Sequence, residues 1–391
     1  MKIVVLGGLG LQGKATLVDL ARQTDVTEVI CTDVGPDRLG GLAGLPGMDK
    51  VRIVELDASS KNALLGLLSQ GATVAIDLLP FPLMATAFEA ALEAGVPLVS
   101  TNYAATVRHL DGPAREKGVS LMPECGLDPG IDLVLIGNGV RRFDRIEVLR
   151  SYCGGIPEPK ACTNPLKYKI SWNWEMVLTS QMRPSVFIRD GRRLEVPAEA
   201  QHETDLVHSL SFPGLGELEA IPNGDAVFYT DLLGVTGTIR HTGRYSLRWP
   251  GWVSFWRPLK RLGFLDDRPR PGLPAGLSPK QFLVKLLEPQ LRYEDHEKDL
   301  AVMVNVFEGV KDGRRRRLTN RLLIERDLTS GLYAMSLGVG YTAAIVARMI
   351  ARREIVRPGI LSPVTDIPYG PFMAELSTRN ILVEEEEEWL D

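Results

Sequence analysis

Two stretches of the 391-residue chain combine residue types and spacing that could do chemistry. The first is GGLGLQG, residues 7–13, which places Gly8, Gly10 and Gly13 in a G-x-G-x-x-G pattern directly after the apolar run KIVVLG. A strand leading through such glycines into a helix lets backbone approach a pyrophosphate closely, and the helix N-terminus offers unpaired N–H groups to it. Leu11 and Gln12 belong to the same phosphate-facing turn. Asp33 closes the next apolar run, EVICTDV, where a carboxylate accepts hydrogen bonds from the adenosine ribose hydroxyls and repels a 2′-phosphate. The expected cofactor is therefore NAD, with NADP kept open by Arg38, which could reach a phosphate. Asp57, Leu79 and Pro80 follow later apolar runs and complete the expected cofactor set. Leu79 and Pro80, in LLPFP, either wall the nicotinamide or form a packing turn.

The second stretch is PECGLDPGIDLVL, residues 123–135, with Glu124, Asp128 and Asp132 broken by Gly126, Pro129 and Gly130. Such a segment leaving the carboxyl end of a parallel sheet can line a substrate site, its glycines and prolines shaping backbone close to a ligand. The same residues also suit a charged interdomain hinge.

These groups need elements to hold them. Apolar runs at 2–7, 28–34, 51–56, 73–80, 97–103 and 119–124 alternate with helical patterns near 14–23, 60–69, 83–94 and 105–117. Continuous apolar strands alternating with helices predict a doubly wound parallel α/β sheet, a Rossmann domain over residues 1–125 completed by C-terminal helices in 332–391. Residues 126–331 read as a second, α+β domain for substrate binding and dimerisation, with a small helical insertion near 250–290. Strands are expected at 145–155, within DAVFYTDLLG and within TIRHTGRYSL, and a hairpin turns at KDG in 300–327. Arg314 to Arg317 read as an exposed strand end, and Glu384 to Glu388 as a solvated tail.

GLDPGID, SYCGGIPEP (151–159) and NPLKYKISW (164–172), in that order, resemble the saccharopine dehydrogenase family, as do GRYSL around Arg244, KRLGFLDD (260–267) and the Rossmann half. The resemblance spans most of the chain. It implies nicotinamide-dependent oxidation of a carbon–nitrogen bond in a lysine-derived amino acid, saccharopine first, by a homodimer. It places Asn102, Tyr103, Glu124, Asp128, Cys153 and Arg244 at or near the substrate, in the cleft between the domains. Arg244 could clamp a carboxylate, and Asp128 or Glu124 could hold the substrate nitrogen or take its proton. Lys169 is a further candidate acid or base if burial lowers its pKa, and otherwise a solvated strand lysine. Cys153 is expected to pack the ligand rather than attack it.

Two positions depart from the saccharopine pattern. An arginine expected after Asn223 in IPNGD is Gly224, and the acidic Asp33 is unusual for NADP enzymes. Both resemble lysine 6-dehydrogenases, which act on a primary amine with NAD. A dinucleotide sensor without turnover is the alternative outside enzymology.

Bulk composition is that of an ordinary soluble globular protein. The chain is 45% hydrophobic and 24% charged with a formal net charge of −4, so neither nucleic acid nor an anionic membrane is an expected partner. Four cysteines form no CxxC pair and five histidines show no zinc spacing, so no metal site is expected. The start has no basic leader, and the expected compartment is the cytoplasm. LYAMSLGVGYTAAIVA (332–347) is short for a membrane span and reads as a buried helix.

Overall fold

The computed structural model describes residues 1–35, 44–274 and 276–390, so Arg38 lies outside the described residues. The chain divides into two compact units, 1–138 with 329–382, and 139–328 with 383–391. The C-terminal helices thus complete the first unit, but the last nine residues join the second.

In the first unit, strands β1 (Lys2–Leu6), β2 (Glu28–Asp33), β3 (Val51–Glu55), β4 (Val74–Asp77), β5 (Leu98–Ser100) and β6 (Ser120–Met122) alternate with helices. The helices are α1 (Leu11–Arg22), α2 (Lys61–Leu68), α3 (Met84–Ala94), α4 (Asp111–Lys117) and α5 (Ile131–Val140). The sheet runs 6-5-4-1-2-3, all parallel, with a two-residue seventh strand from near the C-terminus beside β6. That is the dinucleotide-fold order, whose switch point lies between β1 and β4. Ile3 to Leu6 are wholly buried, as expected of a strand covered on both faces.

The second unit contains β7 (Arg145–Pro157), α6 (Trp174–Ser180), β8 (Ser185–Arg189), β9 (Arg192–Val196), β10 (His208–Phe212), β11 (Gly216–Pro222) and β12 (Gly224–Asp225). Then follow α7 (Val227–Leu232), β13 (His241–Arg248), α8 (Trp252–Arg261), α9 (Pro279–Leu287), β14 (Asp299–Lys311) and β15 (Arg314–Glu325). The chain returns to the first unit for α10 (Ala334–Ala351), β16 (Gly359–Ile360), α11 (Pro363–Asp366) and α12 (Tyr369–Ser377), and ends in β17 (Val383–Trp389) of the second. The ten-stranded mixed sheet runs 10-11-13-7-14-15-17, with β8, β9 and β12 alongside β13. Helices α6, α8 and α9 bury Trp174, Trp252, Trp256 and Tyr168 in a core of their own. A capping box, Ser278 with Gln281, starts α9.

Three expectations need correction. DAVFYTDLLG is the helix α7, not a strand, because the Asp225 carboxylate accepts from Phe228 N at 3.0 Å and Val227 and Thr230, three apart, are buried on one side. The glutamate run is not a solvated tail. It forms β17, paired antiparallel with β15, and Glu385, Glu386 and Glu388 bond Arg142, Arg321 and Arg317. Cross-strand pairing of opposite charges makes a strand of a sequence that would repel itself alone. The helix near 105–117 is shorter, two single turns preceding α4.

Helix α10 is long and apolar enough to cross a membrane, but it is 83% buried in the protein. Its small residues serve packing: a Cβ on Gly340 would meet Gln12 O at 2.6 Å, and Thr16 Oγ donates to Gly340 O at 3.0 Å, so α10 lies directly on α1. Around this contact, Arg379 binds Asp19 through two hydrogen bonds of 2.6 and 2.9 Å, with both side chains buried. Burial pushes the Asp19 carboxyl up, and the Arg379 guanidinium pulls it back. Arg379→Ala leaves the buried Asp19 carboxylate with a 3.3 Å bond from Gln23 Nε2 but without its ion-pair partner, and is expected to cost about 3–5 kcal/mol of stability. With its partner gone, Asp19 titrates above its unfolded value of about 3.9. Protonation removes the penalty, so the deficit is largest above that raised pKa and shrinks as pH falls through it. Denaturant unfolding of both proteins from pH 4 to 8 checks this; a pH-independent deficit would contradict it.

Candidate active site

The glycine turn of the first unit is built by three different constraints. Gly7 N and Gly8 N donate to Thr32 O at 2.9 and 3.2 Å, fastening the turn to the end of β2. A Cβ on Gly13 would sit 2.4 Å from Gly8 O, so only glycine lets α1 start this close to β1. At Gly10, the residue before α1, a Cβ would meet nothing nearer than Gly7 O at 3.5 Å, which leaves an open approach to the helix N-terminus. These positions fit a pyrophosphate, and the buried Gln12 Oε1 has no partner among the described residues. Leu11, the first helical residue, is exposed.

Asp33 sits where the sequence puts it and has a second task. Its Oδ2 accepts from Leu9 N at 3.1 Å and its Oδ1 from Val34 N at 2.8 Å, so the carboxylate staples the glycine turn while keeping lone pairs for ribose hydroxyls. Asp57 is exposed, its Oδ1 accepting from Ser59 N at 2.9 Å, and this contact holds its carboxyl below the usual range. It reads as a turn former after β3.

At the switch point the turn after β4 closes on the glycine turn: a Cβ on Gly7 would lie 3.0 Å from Leu78 O and 3.4 Å from Leu79 Cδ2. Leu79 and Pro80 thus border the same space. What holds them is Asp77, which the sequence reading missed. Its buried carboxylate accepts from Leu79 N at 3.0 Å and Ser100 Oγ at 2.8 Å, and the Asn102 amide bonds it as well. Burial pushes Asp77 up to about 6, against the pull of those donors. Asn102 also donates through Nδ2 to Leu79 O at 3.1 Å, tying the turns after β4 and β5 together. The available signal was a lone carboxylate ending the apolar run TVAID.

Tyr103 follows on the same turn, and Glu124 is drawn to it. Glu124 N donates to Asn102 O at 2.9 Å, and Glu124 Oε1 accepts from Ala104 N at 3.3 Å. Glu124 is only 2% exposed and has φ +65°, a left-handed conformation that a non-glycine residue adopts only when its surroundings impose it. Beyond it, Gly126 N donates to Pro129 O at 2.8 Å and Gly130 N to Asp132 Oδ1 at 2.8 Å, so GLDPGID is a tight loop that starts α5. Gly130 has φ +152°, and a Cβ there would overlap Gly126 O. Asp132 is thus a buried loop former, while Asp128 stays half-buried at the turn, next to a cis Pro129. Asn102, Tyr103, Glu124 and Asp128 occupy one end of the sheet, at the carboxyl ends of β5 and β6.

In the second unit, β13 pairs parallel with β7, setting Arg244 opposite Ser151 and Ser246 opposite Cys153. Side chains alternate across a sheet, so Arg244, Ser151 and Cys153 share one face, joined by Asn305, the β14 partner of Ser151. All four are buried, Asn305 completely, which makes a polar floor where a sheet would ordinarily carry a hydrophobic one. The Arg244 guanidinium lies 4.8 Å over the Tyr229 ring of α7. Asn223 N donates to Arg244 O at 2.8 Å, and Asn223 Oδ1 accepts from Arg183 at 3.3 Å. Next to it, Gly224 has open space where a side chain would begin.

Lys169 is neither a solvated strand lysine nor a free base. It is buried in a loop and bound to both Glu297 oxygens at 2.6 Å, with the Tyr293 ring 5.9 Å away. Burial would raise Glu297, but Lys169 and Glu294 N hold its carboxyl below the usual range. This ion pair ties the loop between β7 and α6 to the turn before β14, and Lys169, Glu124 and Asp128 stay the candidate proton carriers. Among the described residues no cluster of His, Cys, Asp and Glu could hold a metal ion.

Comparison with known proteins agrees with both halves. The saccharopine dehydrogenase NADP binding domain matches residues 3–122, and the saccharopine dehydrogenase C-terminal domain matches residues 126–381. Mouse mitochondrial alpha-aminoadipic semialdehyde synthase is 26% identical, the alignment covering 97% of this chain and 47% of that protein. The chain thus spans about half the length of the mammalian synthases. The Saccharomyces cerevisiae saccharopine dehydrogenase [NADP(+), L-glutamate-forming] is 24% identical over 97% of both chains, and that of Schizosaccharomyces pombe 26% over 99% of both. The apo structure of the L-Glu-forming yeast enzyme shares the fold at a TM-score of 0.85 over 99% of each chain, with 22% identity. Homospermidine synthase from Legionella pneumophila in complex with NAD has a TM-score of 0.66 at 10% identity, over 99% of this chain and 91% of that one. Since the C-terminal model alone spans more than half of its residues, the chain belongs to the saccharopine dehydrogenase family.

Proposed function

We propose that the protein is a nicotinamide-dependent oxidoreductase acting on the carbon–nitrogen bond of saccharopine, releasing glutamate. The observation that carries this is the buried polar floor of Arg244, Ser151, Cys153 and Asn305, a cationic, hydrogen-bonding surface suited to a carboxylate-bearing amino acid. Full-length relatives named glutamate-forming saccharopine dehydrogenases support the choice of substrate. Bound dinucleotide supplies the hydride acceptor. Arg244 fixes a substrate carboxylate through charge-assisted bonds, held in place by the Tyr229 ring. Glu124 or Asp128 takes a proton from the secondary ammonium, freeing the lone pair of the neutral amine that drives hydride loss from the adjacent carbon. Water then adds to the resulting imine carbon, and carbon–nitrogen cleavage returns the nitrogen to glutamate.

For the cofactor we propose NAD. The Asp33 carboxylate, fixed by Leu9 N and Val34 N, stands where a 2′-phosphate would bring like charge. The yeast relatives carry NADP(+) in their names and the matching family model is an NADP binding domain, so the choice of NAD rests on Asp33. A second reading, oxidation of the primary ε-amine of lysine, is favoured by Gly224, whose empty side-chain space removes an expected carboxylate clamp.

Purified protein offered saccharopine or lysine, each with NAD or NADP, is expected to reduce NAD with saccharopine. Turnover of lysine alone establishes the second reading, and dinucleotide binding without turnover of either leaves a sensor. Arg244→Ala is expected to raise the KM for the amino-acid substrate roughly ten- to hundredfold, as loss of charge-assisted bonds worth about 1.5–3 kcal/mol requires. The KM for the dinucleotide stays within about twofold; equal effects on both would remove Arg244 from the substrate. Asp33→Ser is expected to shift the ratio of kcat/KM for NADP over NAD upward by about tenfold, the size of one close charge repulsion. An unchanged ratio rules out Asp33 as the discriminating group.

A further inference from the structure

A second cationic site lies on the opposite face of the same sheet. A cavity of about 160 Å³ is lined by Arg150, Phe187, Arg189, His208, His241 and Tyr245. Pairing of β7 with β13 sets Arg150 opposite Gly243 and Tyr245 opposite Tyr152, one residue out of step with the Arg244–Ser151 pair. Because faces alternate along a strand, the cavity and the Arg244 floor open to opposite sides.

The base of the cavity is rigid. Tyr152 and Tyr245 stack with centroids 4.9 Å apart, His208 stands edge-on to both, and the Tyr152 hydroxyl is hydrogen-bonded to His208 Nε2 at 3.1 Å. Arg150 bonds the same hydroxyl, and Arg189 lies 5.4 Å over the Phe187 ring, one of its N–H groups reaching Asp205 O at 3.4 Å. Arg142, Arg145, Arg261, Arg317 and Arg321 of this unit all have carboxylate partners. Arg150 and Arg189 form no ion pair among the described residues. The exposed Asp190 carboxylate lies 3.6 Å from His241 Nε2. Burial, together with the charges of Arg150 and Arg189, lowers the His208 pKa, so His208 serves as a neutral hydrogen-bonding group.

We propose that this cavity binds a small molecule through a phosphate or carboxylate group held by Arg150 and Arg189. Two guanidiniums without counter-ions, beside hydrogen-bonding imidazoles, are the donor set that oxyanions select. The volume far exceeds the roughly 10–15 Å³ that one water needs and falls short of the roughly 300 Å³ at which drug-sized pockets begin, so the ligand is smaller than a dinucleotide.

The test is calorimetric titration of the full chain with inorganic phosphate and with citrate at fixed ionic strength, repeated on Arg189→Gln and on the double variant Arg150→Gln/Arg189→Gln. Arg189 is exposed, so its single variant guards against loss of fold, and dinucleotide affinity serves as the control. Saturable binding of either anion, weakened about tenfold or more in both variants with dinucleotide affinity unchanged, establishes the site. Tighter phosphate or tighter citrate then tells which group the cavity prefers. Absence of saturable binding at millimolar anion, or binding unchanged in the double variant, overturns it. So does a sedimentation change in the variants that no anion affects, which marks a subunit contact instead.

Discussion

The parallel pairing of β7 with β13 is the constraint on which the second unit turns. Five of the residues that give this unit its chemistry, Arg150, Ser151, Cys153, Arg244 and Tyr245, lie on these two strands, and their register alone decides which face each one meets. A slip by one residue would exchange the faces, sending Arg244 to the tyrosine side and Tyr245 to the polar floor. The register is held by more than the ladder. The Tyr152–Tyr245 stack locks one face, and the bond from Asn223 N to Arg244 O fastens the next connection. On its other side β7 runs against β14 for nearly its full length, so it cannot move without the long hairpin.

The first unit solves a different problem, namely how to bring backbone and carboxylates to one edge without leaving charges unsatisfied. It does so by making each carboxylate serve the chain first. Asp33 staples the glycine turn, Asp77 ties the turns after β4 and β5, and Asp132 starts α5. Each ends or follows an apolar strand at the carboxyl edge of the sheet. Glu124, in a left-handed conformation, is bonded through its N–H and its carboxylate to the turn after β5.

Much of this was legible in the sequence because the signals were local. Alternating apolar runs and glycines in G-x-G-x-x-G located the parallel sheet, the tight glycine turn into α1 and Asp33 at the end of β2, and GLDPGID announced a tight, charged loop. What was not legible depends on partners distant in the chain. Lys169 meets Glu297, 128 residues away, and nothing near KYKIS signals that pairing. The glutamate run becomes a strand only because β15 presents arginines to it. DAVFYTDLLG misled because its aromatic and β-branched residues favour strands, while the Asp225 cap that makes it helical is a single contact. Asp77 lies inside the apolar run 73–80, and its role appears only once Ser100 and Asn102 fold beside it.

Charge shows the same limit from the other side. A formal net charge of −4 suggests a chain indifferent to anions. That sum includes five consecutive glutamates, Glu384 to Glu388, of which Glu385, Glu386, Glu387 and Glu388 are paired with Arg142, Arg316, Arg317 or Arg321. Each such pair removes one positive and one negative charge from the surface at once, so the local field is set by the groups left over. Around the cavity these include Arg150, which bonds the Tyr152 hydroxyl, and Arg189, which meets the Phe187 ring and Asp205 O; neither forms an ion pair among the described residues. Salt screens exposed charges beyond about 8–10 Å, so glutamates paired elsewhere on the sheet cannot cancel a guanidinium in its own cavity. Anion recognition here is a property of which ions are paired, and the pairing is written in strand register rather than in composition.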